Sequence, residues 1–68
     1  MKYIVRTRYG WGFEIEGDGH TSNPFESAKE AQEVADDLNA GFDWQTAFER
    51  AERKCDFRNG RFYSKQAA

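Results

Sequence analysis

From Lys2 to Tyr9 the chain alternates. Tyr3, Val5, Thr7 and Tyr9 point one way, and Ile4, Arg6 and Arg8 point the other. Phe13-Glu14-Ile15-Glu16 alternates in the same style, and a period of two marks strands. Between them lies Gly10-Trp11-Gly12. A three-residue hairpin loop takes a left-handed residue in its third place, which Gly12 supplies. That register sets Tyr9 against Phe13, Arg8 against Glu14, Thr7 against Ile15 and Arg6 against Glu16. Apolar partners share one face, opposite charges share the other, and Trp11 rides at the tip.

Gly17 to Pro24 is turn chemistry throughout and reads as a loop. Ser27-Ala28-Lys29-Glu30 is a capping box that starts a helix at Ala28. Ala28, Ala31, Val34, Ala35 and Leu38 form its apolar stripe, and Gly41 is placed to end it in the left-handed conformation. Asp43 caps a second helix, whose apolar face is Trp44, Ala47, Phe48, Ala51 and Cys55. Phe57 falls on the opposite face, so this helix ends near Cys55. Beyond it two readings stand. Asn59-Gly60 makes the turn of a short hairpin, which sets Arg58 unfavourably opposite Arg61. Alternatively the helix runs to Arg58, stops at Gly60, and Arg61 to Lys65 form one strand. Either way the expected order is β-β-α-α-β. This is a single α+β domain over residues 1–65, a small antiparallel sheet with two helices packed on one face. A frayed tail at 66–68 follows.

Composition sharpens this picture. A chain of 68 residues buries only about 60% of its unfolded surface, so its stability is marginal. Ile, Val and Leu number five, whereas Phe, Tyr and Trp number eleven. Eleven rings exceed what one thin core hides, and the surplus belongs at a surface where Tyr and Trp favour interfaces. At this size a homodimer is one way to cover it. The lone Cys55 forms no internal disulfide, reads as a buried thiol and fits a reducing cytoplasm. No apolar run approaches the roughly 18 residues of a membrane span.

Charge is segregated along the chain. The first thirteen residues carry Lys2, Arg6 and Arg8 and no acid; residues 14–43 carry nine acids against Lys29 alone; residues 44–68 carry six bases and three acids. An acidic middle between basic ends predicts a polar electric field that steers partners. Glu26, Glu30, Glu33 and Asp37 recur at helical spacing, and with Asp36 they form the candidate face for a basic protein surface. There the acids stand in for phosphates. Asp36 and Asp37 sit near the helix C-terminus, where the dipole disfavours anions; stability alone does not choose that placement. Trp11 is the candidate aromatic anchor. A second set, Arg50, Arg53, Lys54, Arg58 and Arg61, interleaves with Phe57, Phe62 and Tyr63 in the manner of single-stranded nucleic-acid binders. Against that set stands a sequence pI near 5.3, since such domains are usually basic.

Catalytic chemistry is thin. His20 is the one histidine, with no companion for acid–base work, and with Cys55 it does not make a metal site. Gly10-Trp11-Gly12 opens like a dinucleotide fingerprint, but Ile15 stands in place of the third glycine and a strand follows where a helix is required. The expectation is therefore no enzyme, no metal and no cofactor. In small size, missing catalytic chemistry, acidic helix and surplus aromatics, the chain resembles the small proteins encoded by phages and prophages that block host defences, anti-CRISPR proteins among them. The resemblance implies inhibition by stoichiometric binding to a nucleic-acid-handling complex in the host cytoplasm.

Overall fold

The computed structural model describes residues 2–65; the expected tail at 66–68 lies outside the described residues. The elements are β1 (Ile4–Arg8), β2 (Gly12–Gly17), β3 (His20–Thr21), α1 (Ala28–Asn39), α2 (Trp44–Lys54), β4 (Cys55–Arg58) and β5 (Arg61–Ser64). The α+β class holds, with two additions to the expected order. A third strand forms inside the Gly17–Pro24 segment, and the C-terminal segment is a hairpin, giving β-β-β-α-α-β-β. The strands form two antiparallel sheets, β1-β2-β3 and β4-β5.

Phe25 joins them. It bridges Phe13 of β2 antiparallel and Phe62 of β5 parallel. Phe13 and Phe25 exchange both backbone hydrogen bonds, at 2.9 and 2.6 Å. Across the other side, the Phe62 N–H donates to Pro24 O at 2.9 Å and the Glu26 N–H donates to Phe62 O at 2.8 Å. The Phe25 ring is fully buried and stacks on Phe62 at 4.4 Å. The Phe25 backbone thus bonds the first sheet, its neighbours Pro24 and Glu26 bond the second, and its ring fills the shared core.

The segment expected to be a loop pairs with β2 through Ser22. Its N–H donates to Ile15 O at 2.8 Å, and its buried hydroxyl accepts from the Ile15 N–H at 2.8 Å while donating to Asn23 O. A side-chain oxygen replaces a backbone carbonyl in the ladder, so turn-forming residues follow a strand.

The first hairpin differs from the expected register by two positions: Arg8 opposes Gly12 and Thr7 opposes Phe13. The loop is Tyr9-Gly10-Trp11, closed by the Trp11 N–H on Arg8 O at 3.0 Å. Gly10, at φ +78°, is the left-handed residue within the loop, in its second place, and Gly12, just past the loop, is also at positive φ (+111°). Gly12 is needed elsewhere, because a Cβ there would lie 2.2 Å from the Phe25 carbonyl oxygen. A shift of two keeps every side chain on its face. Arg8–Glu14 and Arg6–Glu16 therefore still pair, diagonally across the ladder.

Both helices begin and end as their caps dictate. Ser27 and Asp43 accept from the Lys29 and Thr46 amides. At the end of α1 the Gly41 N–H reaches Leu38 O and the Phe42 N–H reaches Asp37 O, the paired bonds of a Schellman stop. The core collects Ile15 from β2 and Tyr3 from just before β1, Phe25 and Phe62 from the junction, Ala31, Val34, Ala35, Leu38, Ala47 and Ala51 from the helices, and Cys55 from the start of β4. The alanines let the helices come close to the aromatic layer. Asn39, the last residue of α1, uses its side-chain amide as a mock strand. It accepts from the Tyr3 N–H at 2.9 Å and donates to Tyr3 O at 3.0 Å.

Phe25→Ala is expected to cost about 3–5 kcal/mol, close to the roughly 3–5 kcal/mol that one core of this size supplies. Circular dichroism should find this variant unfolded at room temperature and Phe25→Leu folded but weakened. Equal urea midpoints for wild type and Phe25→Ala would remove Phe25 from its central place.

Candidate functional site

The five acids do not form one free face. Glu30, Glu33 and Asp37 lie on the flank of α1 that meets α2, not opposite its apolar stripe. There Glu33 pairs with Lys54 at 3.0 Å and Asp37 with Arg50 at 3.1 Å. Because α1 and α2 run antiparallel, acids four apart on one meet bases four apart on the other. Arg50 also lies over the Phe42 ring at 4.8 Å, which holds its guanidinium between the Schellman turn and Asp37. Glu30 occupies the first turn of α1, where a carboxylate suits the dipole. The Ser27 hydroxyl holds its carboxyl below the ordinary range, burial opposes this, and its own amide, Ser64 and Lys29 add to the lowering. Glu26 accepts from the Ser64 N–H at 3.3 Å. Asp36, on the solvent side, accepts from Gln32 at 2.9 Å.

The field expected from the chain order is consequently reduced. Lys2–Asp18, Arg6–Glu16 and Arg8–Glu14 tie the acidic middle to the first basic segment, as Glu33–Lys54 and Asp37–Arg50 tie it to the last. Five of the nine acids in residues 14–43 are neutralised in this way. The signal was present in the sequence, as complementary i, i+4 spacings on two helices joined by a short connection.

The second set of bases divides. Arg50 and Lys54 face α1. Arg53 stands exposed near the end of α2, which a cation there stabilises. Arg58 and Arg61 oppose each other across β4-β5, on the sheet face turned away from the helices, and both lie over the Tyr63 ring, at 4.5 and 5.3 Å.

Trp11 sits where its sequence position implied, at the hairpin tip and 54% exposed. Tyr9, expected to pair with Phe13, stands beside it in the loop at 99% exposure. Neither ring contacts another ring among the described residues. Phe57, at the hairpin edge, is 48% exposed.

A concavity of about 340 Å³ opens between residues 20–23 and the Trp44 and Phe48 rings. His20 meets Trp44 edge-on at 6.3 Å, and among the described residues no other titratable residue lines the space. Cys55 is buried; burial, then the Glu30 and Glu33 carboxylates, push its thiol up, away from the thiolate that reacts. Among the described residues no three His, Cys, Asp or Glu gather into a metal-binding group, and no helix is long and apolar enough to cross a membrane. Compared with known proteins, the chain matches no family model, no curated protein and no solved structure.

Two outcomes follow for the helical layer. A double-mutant cycle on Asp37→Asn and Arg50→Gln should give a coupling of about 0.2–1 kcal/mol that shrinks with salt; zero coupling at low salt would dissolve the ladder. The carboxyls of Glu30 and Asp43 are both lowered, the latter chiefly by Thr46. Their stabilisation is present above the ordinary carboxylate range near about pH 4 and is lost as pH falls through their lower folded values. The melting temperature should fall with pH there, less so in Asp43→Asn, which still caps.

Proposed function

We propose that this chain is a non-catalytic binding protein of the inhibitor type, which works by occupying a surface of a nucleic-acid-handling protein complex. The observation that supports this most is the exposed Tyr9-Gly10-Trp11 tip. Two large rings held in water at a hairpin tip return nothing to a small domain, whereas Trp and Tyr anchor interfaces when a partner pocket receives them. The acidic helix takes the supporting part. Glu26, Glu30 and Asp36 make no ion pair among the described residues, and they steer a basic surface towards the molecule. Glu33 and Asp37 contribute only by leaving Lys54 and Arg50. The host cytoplasm is the compartment this reading implies.

The test is affinity capture from host lysate, with the partner identified by mass spectrometry. Trp11→Ala, which leaves the core intact, should weaken capture by about 2 kcal/mol or more. Reversing Glu26, Glu30 and Asp36 to Lys should slow association and flatten its salt dependence. Undiminished capture by the Tyr9→Ala/Trp11→Ala variant would sink the proposal. A stable dimer in light scattering that the same variant dissociates would reassign the tip to self-association.

A further inference from the structure

We propose that Arg58 and Arg61 form a phosphate clamp for single-stranded nucleic acid on the sheet face away from the helices. The two arginines are direct cross-strand partners, and like charges so placed repel. Asp56 lies on the same hairpin face, opposite Tyr63, yet neither arginine has a carboxylate within 4.0 Å among the described residues. Neither is ion-paired among the described residues, and both lie over one ring. A cation–π contact with Tyr63 uses the guanidinium charge without consuming N–H donors, which stay available to a phosphate.

Arg61 adds a second strain. Its Nε is buried and has no hydrogen-bond partner among the described residues, which leaves the half-buried guanidinium to find its partners through its terminal nitrogens. Its Nη2 lies 3.5 Å from the point where a Cβ on Gly12 would stand. The guanidinium therefore spans the Phe25 junction and ends beside the residue that follows Trp11. A phosphodiester bridging Arg58 and Arg61 cancels the repulsion and, because Arg61 ends beside Gly12, lies towards the loop that carries the exposed Tyr9 and Trp11 rings; phosphate contacts beside exposed rings are the combination that binds single strands. An acidic peptide supplies charge but no flat bases for those rings.

The clamp is separate from the protein-partner reading: it uses Arg58 and Arg61, which capture through Trp11 does not require. The test is fluorescence anisotropy with labelled oligo-dT and oligo-rU, and with labelled poly-glutamate as the acidic-peptide arm. Two phosphate contacts give a log–log salt slope of about −1.4, a roughly twentyfold loss of affinity from about 25 to about 200 mM salt. Arg61→Gln should halve that slope, and Arg58→Gln/Arg61→Gln should abolish measurable binding. The double variant should melt no lower than wild type, because the repelling pair is gone, and should keep Trp11-dependent capture. No binding at the lowest salt, an unchanged slope in the double variant, or poly-glutamate binding as tightly as the oligonucleotides would each overturn the clamp.

Discussion

Phe25 is a single residue on which two sheets depend. Neither the three-stranded nor the two-stranded sheet is large enough to enclose a core, and a lone two-stranded hairpin is marginal in water. Joined through the backbone on either side of Phe25, they present one aromatic-lined surface to both helices. The join is narrow because Pro24 has no N–H to extend it, so the contact is concentrated in the hydrogen bonds around one buried ring. Gly12 is smooth-sided for this reason, and the displaced hairpin register follows from it. The exposed Tyr9-Gly10-Trp11 tip is thus a downstream result of how closely β2 must approach Phe25.

The aromatic residues divide by their distance from that junction. Phe25, Phe62 and Tyr3 are buried, with Phe13, Trp44 and Phe48 packed at the margin. Trp44 meets Tyr3 edge-on at 5.6 Å, and Phe48 links Trp44 to Phe62. Rings thereby carry what aliphatic residues carry in larger domains. Tyr9, Trp11, Phe42 and Phe57 remain exposed, and Tyr63 lies beneath two arginines. A domain this small has no second layer to cover them, so its surface chemistry is aromatic and guanidinium rather than uniformly acidic.

Charge shows why chain order and surface field differ. Antiparallel contacts bring distant segments side by side, and opposite signs find each other there. β1 lies against β2 and α1 against α2, so each pairing sets a basic segment beside an acidic one. The charges without an ion pair among the described residues include Glu26, Glu30 and Asp36 around α1, Glu49, Glu52, Arg53 and Asp56 in the C-terminal elements, and the arginine pair on β4-β5.

Local information decided much of this protein. Alternation marked β1 and β2; Ser27 and Asp43 set the helix starts; Gly41 set the stop of α1, and the turn of Phe57 off the apolar face set the end of α2 at Lys54. Each rests on interactions within a few residues, which a linear pattern records. The exposure of Trp11 was legible for the same reason. The tertiary structure decided the rest, because it depends on residues far apart: Ser22 entering the β2 ladder, Asn39 closing on Tyr3, Phe25 joining two sheets, and the pairing of Glu33 and Asp37 with Lys54 and Arg50. The Arg58–Arg61 opposition marks the boundary. Local electrostatics counted against that hairpin, yet Phe62 stacked on Phe25 and paired with Phe57 outweighs a repulsion between exposed charges, because burial of rings is worth more than screened charge on a surface.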